Sequence, residues 1–289
     1  MRQKLPEWIK RGIINTETTR NVRNILRQHN LNTVCDGARC PNKNECYSNN
    51  TATFLIMGKI CTRNCRFCSI NSAVPDPLNT EEPYQIAQAV KKLNLKYVVI
   101  TSVTRDDLVD GGAEHFAKTI NEIKNINPDI KIEVLTPDFK GDKNSIKKII
   151  ETKPDVFNHN IETVQKLYSR IRPQAEYSRS LELLRYIKDS NPQIFTKSGI
   201  MVGFGETIAE LTETLRDLKN NSCDIVTIGQ YIQPTKDHMK VNRYLEPEEF
   251  ENLKNIGKDL GIKYVESGPL VRSSYNASIV IQYLLSKTI

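Results

Sequence analysis

Short β-rich runs recur along the chain at 53–57, 97–101, 130–135, 155–159, 198–202 and 224–229. Between them apolar residues fall at helical spacing, for example Ile86, Ala89, Val90 and Leu93, then Ala113, Phe116, Ala117, Ile120 and Ile123. Each such interval presents one apolar stripe to a core. Strands alternating with amphipathic helices predict a parallel sheet. Six units are too few for a complete eight-unit barrel, so the pattern predicts a partial (β/α)6 TIM-type barrel with its chemistry beyond the carboxyl ends of the strands. Local punctuation supports the phase: Thr207 and Glu210 have capping-box spacing ahead of Leu211, Leu215 and Leu218, and Pro247 suits a first helical turn before Phe250, Leu253 and Ile256. The expected division is an N-terminal extension over 1–50, the barrel over 51–245 and a C-terminal extension over 246–289.

A chain of 289 residues buries about three quarters of its unfolded surface and needs no staples. Its 38% hydrophobic and 26% charged residues are those of an ordinary globular protein, without low-complexity tracts. The net charge of +7 is spread along the chain with no block of five or six basic residues, so no nucleic-acid partner is expected. A basic surface would instead steer a small acidic protein toward the site. Neither a secretory apolar segment nor a run of membrane-spanning length is found, which predicts no membrane association and a cytoplasmic location. The leader matches an organelle presequence only in part and leaves organellar targeting open.

Chemistry enters with the cysteines. Six of the seven lie between positions 35 and 68, as Cys35, Cys40 and Cys46, then Cys61, Cys65 and Cys68. Disulfides suit an oxidising compartment and a small domain short of core, and neither condition is met. Zinc sites pair Cys-x2-4-Cys knuckles into four ligands, whereas each triplet here supplies three. Iron–sulfur clusters take thiolates, and three thiolates on a cubane leave one iron open to chemistry. The triplets imply either two reactive clusters or one reactive cluster and a second whose fourth ligand comes from elsewhere. Cys223 has no companion and is expected to be structural.

The second triplet, Cys61-Thr-Arg-Asn-Cys65-Arg-Phe67-Cys68, resembles the CxxxCxxC signature of the radical S-adenosylmethionine (SAM) superfamily. The resemblance implies that these thiolates hold a 4Fe–4S cluster whose open iron is chelated by SAM, and that one electron cleaves SAM to methionine and a 5′-deoxyadenosyl radical. The first triplet resembles the auxiliary-cluster motif of the lipoyl synthase family, and Arg272-Ser273-Ser274-Tyr275 is similar to that family's RSSY motif. Stretches 101–115, 133–139, 196–201 and 227–235 agree, so that the likeness runs from about residue 33 to 275.

This likeness implies a second 4Fe–4S cluster on Cys35, Cys40, Cys46 and Ser274, with Ser273 as the fallback ligand. It implies the same partial barrel, with both extensions meeting over its mouth. It also implies insertion of two sulfur atoms at C6 and C8 of an octanoyl-lysine, at the expense of two SAM and of the auxiliary cluster. The partners implied are octanoylated lipoyl carrier proteins or domains, a reducing electron donor, and cluster-assembly or carrier proteins.

Further candidates for SAM contacts are Phe67, Ser102, Glu162 and Arg172. Each has a plainer reading: Phe67 as a shield for the cluster, Ser102 as a turn former, and Glu162 with Arg172 as a solvated ion pair. His159 is expected to satisfy backbone carbonyls, and Gly203-Phe-Gly205 to make room for a turn or ligand. Two rival functions stand beside the main one. An RNA methylthiotransferase would need an RNA-binding appendage, for which little chain remains beyond Val271; a non-enzymatic module would hold zinc in place of iron and bind nucleic acid.

Overall fold

The computed structural model describes residues 4–10, 16–49 and 51–287. Two compact units share the chain: the first comprises Arg11–Asn64 and Ser69–Phe157, the second Asn158–Ile289 with Cys65–Cys68 and Met1–Lys10.

In the first unit β1 (Asn32–Thr33) pairs antiparallel with β2 (Thr53–Ile56). Two short strands, β3 (Ile60–Cys61) and β4 (Asn71–Ser72), form a parallel ribbon of their own. From β2 onward the main sheet is parallel through β5 (Tyr97–Ser102) to β6 (Lys131–Leu135), with Phe54 opposite Ile100. β2 is buried at every position, as expected of a parallel strand covered on both faces. The covering helices, Glu82–Lys92, Ala113–Ile126 and Lys143–Glu151, bury the apolar stripes read from the sequence, including Ile86, Val90, Phe116 and Ile120. The chain passes from the first unit to the second within β7 (Val156–Asn158).

The end of β2 is fastened firmly. Glu82 Oε2 accepts the Met57 backbone N–H at 2.8 Å and lies 2.8 Å from His115 Nε2. Met57 itself has φ of 66° and Gly58 follows at 95°, so the chain swings out of the sheet into the second cysteine segment.

The second unit is a parallel set of β8 (Phe195–Val202), β9 (Ile225–Gln230) and β10 (Tyr264–Gly268), with Ile200 opposite Ile228 and Val265 opposite Val226. Helices Tyr177–Ser190, Ile208–Asn220 and Pro247–Asp259 pack on it around Leu184, Leu215, Phe250 and Leu253. The capping box of Thr207 and Glu210 is present, and Pro247 is at the start of its helix. Cys223 is buried as a structural thiol, donating to Ile225 O at 3.2 Å.

All six expected strands form. The pattern did not predict β10, since Val265 is its one buried position and leaves no alternation to read. Both units are α/β, with helices covering parallel strands as a partial TIM-type barrel requires. Among the described residues no helix is long and apolar enough to cross a membrane.

Candidate functional site

Cys35 lies in the one-turn helix Val34–Gly37 and Cys46 in helix Lys43–Ser48, while Cys40 occupies the turn between them. Thr33 caps the first helix by accepting the Asp36 N–H. A side-chain frame then ties the two helices together. Tyr47, fully buried, donates to Asp36 Oδ2 at 2.8 Å, Thr33 Oγ1 stands 2.8 Å from the same phenol, and Lys43 Nζ bonds Asp36 Oδ1 at 2.9 Å. The backbone adds Cys40 N–H to Cys35 O at 3.1 Å and Cys46 N–H to Asn42 O at 2.9 Å.

Within this frame the thiols feel one another. Burial, joined by the nearby Cys40 charge, pushes Cys35 up to about 11. Burial followed by the charges of Cys35 and Cys40 pushes Cys46 up to about 12. Cys35 and Cys46 thus resist becoming thiolates without a compensating cation and fit a group that supplies one. Among the described residues no three His, Cys, Asp or Glu side chains sit at the spacing of a single ion. A cubane spreads its thiolates wider than one ion does.

The second triplet is held by its two stems. At the first, Cys61 Sγ accepts backbone N–H groups of Arg63 at 3.4 Å and Thr104 at 3.3 Å. Arg63, placed between the cysteines, is buried and forks onto Asp106 at 2.7 and 3.0 Å while reaching Asp138 at 2.6 Å. Thr62 N–H and Oγ1 both donate to Thr104 O at 3.0 Å, and Asp106 N–H returns a bond to Thr62 Oγ1. At the other stem, within the second unit, Arg66 N–H donates to Ile171 O and Met239 N–H to Arg66 O. His238 Nε2 lies 2.8 Å from Cys68 O, which requires that nitrogen to carry the proton. Phe67 packs against buried Ile171, Phe204 and Tyr231. Ser69, beyond the triplet and back in the first unit, donates to Gly37 O at 2.7 Å, two residues past Cys35.

The remaining candidates differ in their surroundings. Ser102 Oγ, at the end of β5, is buried and takes no partner among the described residues. Arg172 is no surface residue: it is buried, and its Nη1 donates to Asn160 O at 2.8 Å and Tyr168 Oη at 2.6 Å. Glu162 has φ of 69°, unusual for a residue with a Cβ, and bridges to Ile200. Burial raises its carboxyl above the ordinary range, against the opposing pull of Arg172 and Asn160. The solvated ion pair expected as the plain reading is therefore not what forms. His159 is buried; its backbone N–H bonds Lys197 O, and its ring, expected to meet backbone carbonyls, has Nε2 3.0 Å from the Ser180 hydroxyl. Gly203 makes a turn, its N–H and that of Phe204 both held by the Glu206 carboxylate.

In the serine motif, Ser273 Oγ accepts a hydrogen bond from Asn160 Nδ2 at 2.9 Å, whereas among the described residues the Ser274 side chain takes none. Sequence reading passed over Asn160, and also over Arg63, Asp106 and Asp138. The last three lie inside stretches already picked out, the cysteine spacing, 101–115 and 133–139, but nothing local marks them as partners.

The radical SAM superfamily model matches residues 55–218. The chain is similar to the lipoyl synthase of Caldanaerobacter subterraneus subsp. tengcongensis, 53% identical over 279 residues, which are 96% of this chain and 98% of that one. It is similar also to the lipoyl synthase of Rubrobacter xylanophilus, 52% identical over 272 residues, 94% of this chain and 85% of that one. Among solved structures, methylornithine synthase superposes with a TM-score of 0.54 at 16% identity, covering 87% of this chain and 82% of that chain, which is a likeness of fold.

Proposed function

This chain belongs to the lipoyl synthase family of the radical SAM superfamily, and on that premise we propose which residues carry the two halves of its reaction. The enzyme inserts two sulfur atoms, at C6 and C8, into an octanoyl-lysine of a lipoyl carrier protein or domain. The 4Fe–4S cluster and SAM that the superfamily brings supply, when bound, a radical able to take hydrogen from an unactivated carbon.

Cys61, Cys65 and Cys68 would hold that cluster through their thiolates, and three protein ligands would leave it open to SAM. The N–H groups of Arg63 and Thr104 disperse charge on the Cys61 sulfur, and such bonds tune cluster potentials. Phe67, Ile171, Phe204 and Tyr231 form an apolar wall that keeps water from a reactive radical. Ser102, Glu162 and Arg172 receive the polar groups of SAM; the buried, unbonded Ser102 hydroxyl supports this most directly.

Cys35, Cys40, Cys46 and Ser274 hold the second 4Fe–4S cluster, which is the sulfur-donating substrate and is consumed. An alkoxide is a harder donor than a thiolate and suits soft iron–sulfur coordination less, so the Ser274 corner releases first. Ser274 is preferred to Ser273 because the Ser273 hydroxyl is already engaged by Asn160. A reducing electron donor and cluster-assembly or carrier proteins complete the partners, the net charge of +7 favours an acidic carrier, and the site of action is the cytoplasm.

The observation that carries the two-cluster reading is the framed trio of thiols, in which burial and neighbouring sulfur charge together raise Cys46. Anaerobic reconstitution tests it. About eight irons and eight sulfides per chain are expected for two cubanes, with SAM cleavage on reduction and a lipoyl mass on an octanoylated carrier domain. Stoichiometric zinc, or four irons with full product formation, overturns it.

A further inference from the structure

Asn160 follows β7 and has one amide nitrogen serving two acceptors. Its Nδ2 donates to Ser273 Oγ at 2.9 Å and to Glu162 Oε1 at 3.1 Å. The backbone around it is pinned: Arg172 Nη1 bonds Asn160 O at 2.8 Å, Ile161 N–H bonds Ser198 Oγ at 3.0 Å, and Glu162 N–H bonds Gly199 O at 2.8 Å. Asn160 is 8% exposed, and its Oδ1 has no donor among the described residues. Turning the amide over would set its oxygen against the Glu162 carboxylate, which can only accept, and lose that bond.

Gly199 makes the space for this amide. A Cβ there would stand 2.7 Å from Asn160 Oδ1 and 3.1 Å from Asn160 Cγ, with Thr227 Oγ1 also at 3.1 Å. An alanine would have to push the amide away, and the amide is held across 113 residues of chain to Ser273.

We propose that Asn160 is a positioning residue for the serine motif: by occupying the Ser273 hydroxyl it fixes the motif against the strand ends and assigns Ser274, the free hydroxyl, to iron. The inference rests on the reading of Ser274 as a ligand of the second cluster. It also gives the motif's two serines separate tasks, one structural and one coordinating. Through the shared nitrogen it links the serine motif to Glu162, so that displacement of either acceptor disturbs the other.

The test uses the full chain, reconstituted anaerobically in two backgrounds. Replacing Cys61, Cys65 and Cys68 together by Ala leaves the second cluster alone; replacing Cys35, Cys40 and Cys46 leaves the first alone. The rate of iron loss to a chelator is measured in each. Asn160→Ala and Gly199→Ala are expected to speed loss from the second cluster on the order of fivefold, the worth of one net hydrogen bond, and to leave the first within about twofold of that rate's parent value. Adding Ser273→Ala to Asn160→Ala should change nothing more, because both remove the same bond.

If Asn160→Ala and Gly199→Ala lose second-cluster iron at the parent rate while Ser274→Ala loses it at once, the inference falls and the Ser274 reading stands. If Ser273→Ala releases the cluster and Ser274→Ala keeps it, the reading falls and takes the inference with it. Equal acceleration in both backgrounds is general loosening and also overturns the proposal. Should Asn160→Ala fail to fold, Gly199→Ala and Ser273→Ala decide the matter in the same assay.

Discussion

Cys35 and Cys46 lie in helical turns bound side chain to side chain by Thr33, Asp36, Lys43 and Tyr47, whereas the segment of Cys61 and Cys68 is tied to distant loops, by Arg63 on Asp106 and Asp138 and by His238 on Cys68 O, and the Cys61 sulfur accepts backbone N–H groups. The first pair is buried enough to push both thiols up, Cys46 to about 12. Cys61 instead receives two N–H groups. Two triplets of one residue type are thus supported differently. Thiols raised as Cys35 and Cys46 are bind as thiolates only while a cation offsets their charge, which suits the proposed role of a cluster that is spent and rebuilt. Donors aimed at a sulfur stabilise a ligand that must survive turnover.

The largest expected effects break the comparison outright. Cys61→Ala should abolish both SAM cleavage and sulfur insertion, while Cys46→Ala should abolish insertion and leave 5′-deoxyadenosine formation under reduction. Lipoyl product from Cys46→Ala would remove the sulfur-donor role of the first triplet. Next comes Arg63→Met. It takes the guanidinium from the fully buried Asp138 carboxylate, which keeps the Lys140 N–H, and from the partly buried Asp106, at a cost of about 3–5 kcal/mol in a denaturant titration. Arg63→Lys should recover little, since an ammonium cannot fork onto one carboxylate while reaching the other. A midpoint unchanged in both variants would show that backbone bonds alone hold the loop.

Smaller effects sharpen the contrast. In the cluster-free chain, Cys35 is raised from 9.0 to about 11 and Cys46 to about 12. At pH 8 their thiolate fractions, and so their alkylation rates, should be lower than those of an ordinary cysteine by about a hundredfold and a thousandfold. Rates should climb as pH approaches those values, because the reactive form is the deprotonated one. Peptide mapping after iodoacetamide treatment reads this, and prompt labelling at pH 8 would contradict the burial argument. The smallest effect is Tyr47→Phe, which deletes the hydroxyl shared by Thr33 and Asp36. It should cost about 1–2 kcal/mol and loosen the second cluster before the first. Equal chelator sensitivity of the two clusters would mean that the frame serves the fold alone.

Much of the molecule was legible along the chain. Helical stripes such as Phe116, Ile120 and Ile123 were readable because helix periodicity is local, and so were the cap of Thr207 with Glu210 and the turn of Gly203. The two cysteine spacings, with the serine motif, were enough to indicate the family. What the sequence could not decide is set by residues far apart in it. Arg63 meets Asp138 across 75 positions and Asn160 meets Ser273 across 113. The rise of the Cys35 and Cys46 thiols depends on how deeply their neighbours bury them, and β10 becomes a strand through its pairing with β9. The division has a physical cause. Dihedral preference and periodicity act over a few residues, whereas burial, charge and long-range hydrogen bonds acquire values only when packing brings distant groups together.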